Sequence, residues 1–139
     1  ARNYLNADSG ERRLVLGDGA AQAMTLARES EAQIPVLQKA AKLSGSAKQF
    51  MYLGQAQMAM YRWADAAKSL EKAISIGGLE RPGSVRMQIG TAYYNLKKYG
   101  KARQAFKEAS ADENYAKQAR QWVRFVNSEI ERTRALRGS

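Results

Sequence analysis

Apolar and small residues in the middle of the chain recur at the three- and four-residue spacing of α-helices. Phe50, Leu53, Gly54 and Gln57 have this spacing, which places them on one helix face. The pattern returns 36 positions later: Leu53, Gly54, Gln57, Met60, Trp63, Ala66, Leu70 and Ala73 correspond to Ile89, Gly90, Tyr93, Leu96, Tyr99, Ala102, Phe106 and Ala109. Every small position stays small and nearly every large apolar position stays large. The exchange of Gln57 for Tyr93 is the one mismatch.

Each copy of the pattern predicts a pair of packed helices. Gly54 and Ala66 leave room where the two helices approach closely, and Leu70 lies on the inward face of the second helix. Met60 and Trp63 fill the bend between them. The sequence therefore predicts an all-α fold.

Glycine and proline separate the two copies. The loop of residues 77–83 contains three glycines and one proline, which do not continue a helix. Ser84 follows as the predicted N-cap of the next helix. Ser46, with Gln49 three residues later, predicts a capping box for the first copy.

Weaker signals extend the pattern in both directions. Upstream, residues 36–40 match residues 69–73 at an offset of 33, which puts Ala21 at the glycine position. Pro35 then falls near the start of a second helix, where proline is tolerated only in the first turn. Downstream, one apolar stripe predicts a long closing helix: Tyr115, Ala119, Trp122, Val123, Val126 and Ile130. A single domain is predicted, with a lead-in (1–13), a degenerate repeat (14–46), two repeats (47–82 and 83–113) and a capping helix (114–136).

The repeat resembles the tetratricopeptide (TPR) signature. In that signature a Leu-Gly pair is followed by Ala twelve residues after the Gly and a large apolar residue four later, as at Gly54, Ala66 and Leu70. Arg86 departs from it, because the family usually has an aromatic residue there. The period of 36 is also longer than the usual period of about 34. The resemblance implies a right-handed solenoid of antiparallel helix pairs, closed by a C-terminal capping helix.

Composition removes most catalytic and metal chemistry. The 139 residues include no cysteine and no histidine, so disulfides, Cys/His zinc sites and Ser-His or Cys-His nucleophile pairs are excluded. The short Gly17-Asp18-Gly19 stretch follows no predicted strand and is too short for a phosphate loop. We predict no enzyme, no catalytic residue, no metal site and no cofactor. An apolar run long enough to span a membrane is also lacking.

The resemblance also predicts where a partner binds. In a TPR stack the first helix of each pair lines the concave face, and eight residues on that face are not assigned to packing: Lys48, Met51, Gln55, Met58, Ser84, Met87, Thr91 and Tyr94. A methionine-lined groove adapts to a peptide or protein partner, although methionine at helical spacing is also a common core filler. The family's carboxylate-clamp positions hold Met51, Gln55 and Gln88 instead of Lys and Asn, so that clamp is not expected.

Charge leaves one alternative function open. The net charge is +10, and residues 114–139 hold six basic and two acidic groups. Lys117, Arg120 and Arg124 form a candidate basic patch there, which attracts polyanions such as nucleic acid or an anionic envelope surface. Nucleic acid is the less expected partner, because Trp63 and Tyr99 occupy packing positions rather than a stacking platform.

A closer resemblance concerns two short segments. Residues 78–83, followed by Ile89-Gly90, and residues 121–125 resemble the periplasmic TPR proteins associated with TonB/ExbB/ExbD systems of Gram-negative bacteria. Residues 34–41 fit the same group, and the resemblance covers roughly residues 30–132. It implies a periplasmic accessory protein of outer-membrane uptake. Without this resemblance a cytoplasmic location is expected.

Overall fold

The computed structural model describes residues 28–138, and all regular structure in this range is helical. Helix α1 covers residues 28–44, and it is followed by α2 (Ala47–Ala59), α3 (Trp63–Ile76), α4 (Pro82–Asn95), α5 (Tyr99–Ala109) and α6 (Ala116–Gly138). The all-α prediction is confirmed for these residues. The lead-in 1–13, the Gly17-Asp18-Gly19 stretch and Ala21 lie outside the described residues.

Each helix packs against the next one along the chain. Contacts join α2 to α3, α3 to α4, α4 to α5 and α5 to α6. Only three residues separate α2 from α3, and the same number separates α4 from α5, so each of these pairs is a helical hairpin. Ile34 and Ala41 of α1 join Leu53 and Ala56 of α2 in a smaller core of their own.

The two hairpins repeat in their backbone hydrogen bonds. Tyr61 and Lys97, 36 positions apart, both have a positive φ, of 59° and 60°. Each lies in the turn of its hairpin, where the next residue donates its N–H back into the helix: Arg62 to Gln57 at 2.9 Å and Lys98 to Tyr93 at 2.9 Å. The 36-residue repeat that the sequence predicts is therefore a repeat of backbone conformation.

Close approach of the helices explains the two repeat glycines. A Cβ atom on Gly54 would lie 2.6 Å from Cγ of Leu70, and one on Gly90 would lie 2.6 Å from Cε1 of Phe106. Real Cβ atoms essentially never come this close to another atom, so any other residue at either site would force Leu70 or Phe106 to shift. The sequence-based prediction for Gly54 is confirmed.

Where the repeat has Gln57 in one copy and Tyr93 in the other, the residue opposite it on the second helix also differs. Gln57 accepts a hydrogen bond of 2.7 Å from the hydroxyl of Ser69, and both side chains are buried. In the second hairpin the equivalent residues are Tyr93 and Ala105, so a larger side chain lies opposite a smaller one. The Tyr93 phenol extends past this core and donates to the carboxylate of Glu71 on α3 at 2.7 Å. Tyr93 thereby joins the second hairpin to the first.

Two helix starts differ from the sequence-based predictions. Ser46 does cap α2 by accepting from the Gln49 N–H at 3.2 Å, but the reciprocal half of the capping box is absent because the Ser46 N–H donates to Ser44 Oγ instead. The prediction that Ser84 caps the next helix is wrong. Helix α4 begins two residues earlier, at Pro82. The fixed φ of proline suits the first helical position, and a backbone N–H at that position would have no partner within the helix.

Pro35 also differs from its predicted place. The helix is continuous over residues 28–44, so Pro35 lies beyond the first turn rather than near the start. Proline provides no N–H for the carbonyl four residues earlier, which belongs to Glu31. Both residues are exposed, so water can satisfy that carbonyl.

Replacing a repeat glycine by alanine is expected to destabilise the fold. Gly90→Ala forces a methyl group into the Phe106 ring, and we expect a loss of about 1–3 kcal/mol in the free energy of unfolding. Gly100→Ala in α5 is the matched control, because its Cβ meets no atom within 4 Å. This control should stabilise the protein by up to about 1 kcal/mol through helix propensity. Urea titrations of the three proteins test the difference, and equal effects of both substitutions would contradict it.

Removing the Tyr93 hydroxyl should destabilise the protein in a pH-dependent way. Burial, the hydrogen bond to Glu71 and the charge of that carboxylate raise the pKa of Tyr93 to about 12. The phenol proton therefore stabilises the folded state below pH 10 or so, and this contribution is lost as the pH rises towards 12.

We expect Tyr93→Phe to be less stable than the parent protein by about 1 kcal/mol at pH 7. The difference should shrink between about pH 10 and 12, because only the parent loses the phenol proton there. Denaturant unfolding at both pH values measures it. A difference that stays constant or grows with pH would exclude this role of the hydroxyl.

Candidate partner-binding site

Four of the eight predicted binding residues line one cleft. Lys48, Met51 and Gln55 come from α2, and Ser84 comes from the first turn of α4. The loop before α4 provides most of the remaining lining, and the volume of the cleft is about 380 Å³. The other lining residues are Ala47, Gly78, Leu79, Glu80, Arg81 and Val85. Three of the four predicted positions on α2 and one of the four on α4 therefore line this cleft.

The cleft has an apolar base and charged groups at its edge. Val85 is buried, while Met51 and Leu79 are half-buried and pack against the main core. Gln55 donates its side-chain amide to Gln88 at 3.3 Å, which links α2 to α4 beside the cleft. This arrangement offers an apolar surface and amide hydrogen-bonding groups to a ligand.

Three charged side chains surround this base. Lys48, Glu80 and Arg81 are all exposed residues of the cleft lining. The ammonium group of Lys48 lies 6.0 Å from the centroid of the Tyr52 ring, a contact that leaves its charge uncompensated. The edge of the cleft therefore has two cations and one carboxylate.

Met87 does not take part in the cleft. It is 9% exposed and belongs to the main hydrophobic core, together with residues of α3, α5 and α6. The premise that Met87 is free of packing is wrong, because Met87 is part of this buried core, whereas its counterpart on α2, Met51, is half-buried at the cleft. Met58 is half-buried against the same core, and half-buried Thr91 donates its hydroxyl to the Met87 carbonyl at 3.0 Å.

Tyr94 lies in an aromatic cluster between α4 and α6. Its ring centroid is 5.5 Å from Phe125, 5.6 Å from Tyr99 and 6.0 Å from Trp122. Trp122 also stacks on Phe106, with the rings 5.4 Å apart and 14° from parallel. Phe125 is 44% exposed, so the cluster reaches the surface. The sequence-based prediction does not include Phe125 among the surface residues. Its position three residues after Trp122 was the one indication that it joins the aromatic cluster.

The environment of Tyr94 keeps its phenol protonated. Burial raises the pKa of Tyr94, the negative charge of Glu129 and the neighbouring Tyr99 raise it further, and the charge of Arg132 opposes them. Glu129 and Arg132 themselves form an ion pair of 2.7 Å. A phenol is neutral at pH 7 without any shift, so the raised pKa only widens the pH range over which Tyr94 remains a hydrogen-bond donor.

The predicted basic patch lies on one side of α6. Lys117, Arg120 and Arg124 are all exposed, and their spacing of three and four residues places them on one helix face. The two ion pairs found in residues 28–138 join Glu129 to Arg132 and Glu131 to Arg134, so the patch residues have none within that range. None of the three lines the α2–α4 cleft.

Other chemistry finds no support in the described part of the chain. Residues 28–138 contain no cluster of three or more acidic, histidine or cysteine side chains that could hold a metal ion. Within the same range no helix is both long enough and apolar enough to cross a membrane. No protein-family model and no curated protein matches this chain.

A charge at Met51 and a charge at Met87 should have very different effects on folding. Met51→Glu places its carboxylate at an accessible cleft, so we expect a change of less than about 1 kcal/mol in the free energy of unfolding. Met87→Glu buries an unpaired carboxylate and should cost about 3 kcal/mol or more. Thermal unfolding followed by circular dichroism compares the two, and similar melting temperatures would show that Met87 is not a core residue.

Proposed function

We propose that this chain is a non-enzymatic scaffold of the TPR type, which binds a segment of a partner protein in the α2–α4 cleft. The observation that carries the proposal is the meeting of Lys48, Met51, Gln55 and Ser84 around one cleft. In TPR proteins the first helix of each pair lines the binding face, and these four residues lie on the first helices of the two hairpins. The matching turns and glycine contacts of the hairpins support the resemblance to TPR repeats.

The chemistry of the cleft suits a peptide better than a cofactor. Its volume of about 380 Å³ is at the small end of ligand sites, which fits one or two side chains of a longer segment. Met51 provides a flexible apolar contact, and the Gln55 amide can bond to a peptide backbone. Beyond the cleft, Tyr94 and exposed Phe125 offer a second apolar contact for the same segment.

The cellular setting of the proposal comes from the sequence resemblance. The segments at residues 78–83 and 121–125 resemble periplasmic TPR proteins of TonB/ExbB/ExbD systems. The first of these segments contains Leu79, Glu80 and Arg81, which line the cleft. We therefore propose a periplasmic accessory protein whose partner belongs to such a transport system.

The basic patch supports a second candidate function. Three exposed cations on one face of α6 can bind a polyanion, such as nucleic acid or an anionic envelope surface. The aromatic rings of α6 favour the scaffold instead, because Trp122 is stacked on Phe106 and is not free to stack on bases. The two functions differ in their response to salt.

A pull-down from a Gram-negative envelope extract separates the two functions. The baits are the parent chain, Met51→Glu in the cleft, and Lys117→Gln/Arg120→Gln/Arg124→Gln on the patch. We expect partners that remain bound at high salt and bind the Met51 variant at least about tenfold more weakly, because the substitution replaces an apolar contact by a carboxylate that binding has to desolvate. The patch variant should bind them normally.

The identity of the captured proteins tests the cellular setting. Components of a TonB-type system among the salt-resistant partners would agree with the proposal. Binding that ignores Met51→Glu and disappears in high salt would contradict the scaffold function and favour the basic patch as the working surface.

A further inference from the structure

We infer that the α2–α4 cleft selects an internal partner segment in which an acidic side chain lies next to an apolar one. This inference rests on the proposed function and specifies the chemistry of the partner. The apolar side chain occupies the base formed by Met51, Leu79 and Val85, and the carboxylate lies between Lys48 and Arg81 at the edge.

The first argument is the charge at the edge of the cleft. The lining contains two cations, Lys48 and Arg81, and one carboxylate, that of Glu80, so it has an excess of positive charge. Both ion pairs found in residues 28–138 lie on α6, and therefore neither cation of the cleft is paired within that range. A carboxylate between two such cations gains charge-assisted hydrogen bonds from both.

A second cleft on the same molecule provides the contrast. It surrounds Tyr93 and has a volume of about 410 Å³, close to that of the first. Its lining contains the cations Arg86 and Lys101 and the carboxylates Glu71 and Glu108, so its charges balance. Excess positive charge thus separates the α2–α4 cleft from this one. A third cleft has the same excess, with Lys68, Lys72 and Glu71, but Phe50 is the one apolar side chain in its lining. Of the three, only the α2–α4 cleft combines the excess charge with an apolar base of several side chains.

The field of the whole chain acts in the same direction. The net charge is +10, so acidic segments approach faster than neutral or basic ones. This long-range field does not choose between clefts. Specific recognition has to come from the edge and the base of the α2–α4 cleft, where charged and apolar groups lie side by side.

The identity of the cleft residues favours an internal acidic side chain over a chain terminus. The clamp that other TPR domains use for a C-terminal carboxylate requires Lys and Asn on the inner helix face. Met51, Gln55 and Gln88 stand at those positions, and the two glutamines are hydrogen-bonded to each other. The cations here are at the edge instead, within reach of a side chain that extends from a bound segment.

Selection from a random nine-residue peptide library displayed on phage tests this inference. The full 139-residue chain is compared with the cleft variant Lys48→Glu/Arg81→Glu. The control is Lys117→Glu/Arg120→Glu, which makes the same change of charge on α6 outside the cleft. All four side chains are exposed, and circular dichroism checks that each variant folds. Met51→Glu reports whether a selected peptide occupies the cleft.

We expect peptides with Asp or Glu next to Leu, Ile, Val, Met or Phe. They should bind the cleft variant at least tenfold more weakly and the α6 control within about threefold of the parent chain. Peptides that depend on Met51 but have no acidic preference would overturn this inference and leave the proposed function intact. Acidic peptides that depend on the α6 cations instead would overturn both, and a selection without enrichment would also contradict the inference.

Discussion

The close approach of paired helices at two glycines determines the geometry of the rest of the structure. Gly54 lies against Leu70 and Gly90 lies against Phe106, with no room for a Cβ atom at either place. Each hairpin is therefore held at the same short separation, and its turn repeats the same hydrogen bonds. One cleft is lined by Lys48, Met51 and Gln55 of α2 and by Ser84 of α4. The α2–α4 cleft forms where these positions meet the loop that joins the two hairpins.

The second constraint is that other helices cover α4 on more sides than they cover α2. Helices α3, α5 and α6 all contribute to the core around α4, which buries Met87 and encloses Tyr94 among aromatic rings. On α2 the equivalent Met51 remains accessible at the cleft. One repeated sequence pattern thus leaves Met51 at a cleft in one copy and buries Met87 in the core in the other.

These differences define what could be predicted from sequence. The helices, the repeat and the role of Gly54 depend on local periodicity and residue size, and both can be read from the chain itself. The burial of Met87 depends on packing with residues of other helices, which no local pattern records. The predicted start of α4 is wrong because Pro82 and Ser84 both suit a helix start, and the helix begins at Pro82.

Methionine-methyl NMR of the chain with a bound partner peptide shows whether the peptide occupies the α2–α4 cleft. We predict a large shift of the Met51 methyl signal, because this side chain lines the cleft. The Met87 signal should move little, since that side chain is buried, and Met60, which packs beside the smaller core near α1, should stay unchanged. A bound peptide that leaves Met51 unshifted would contradict the assignment of the α2–α4 cleft as the binding site.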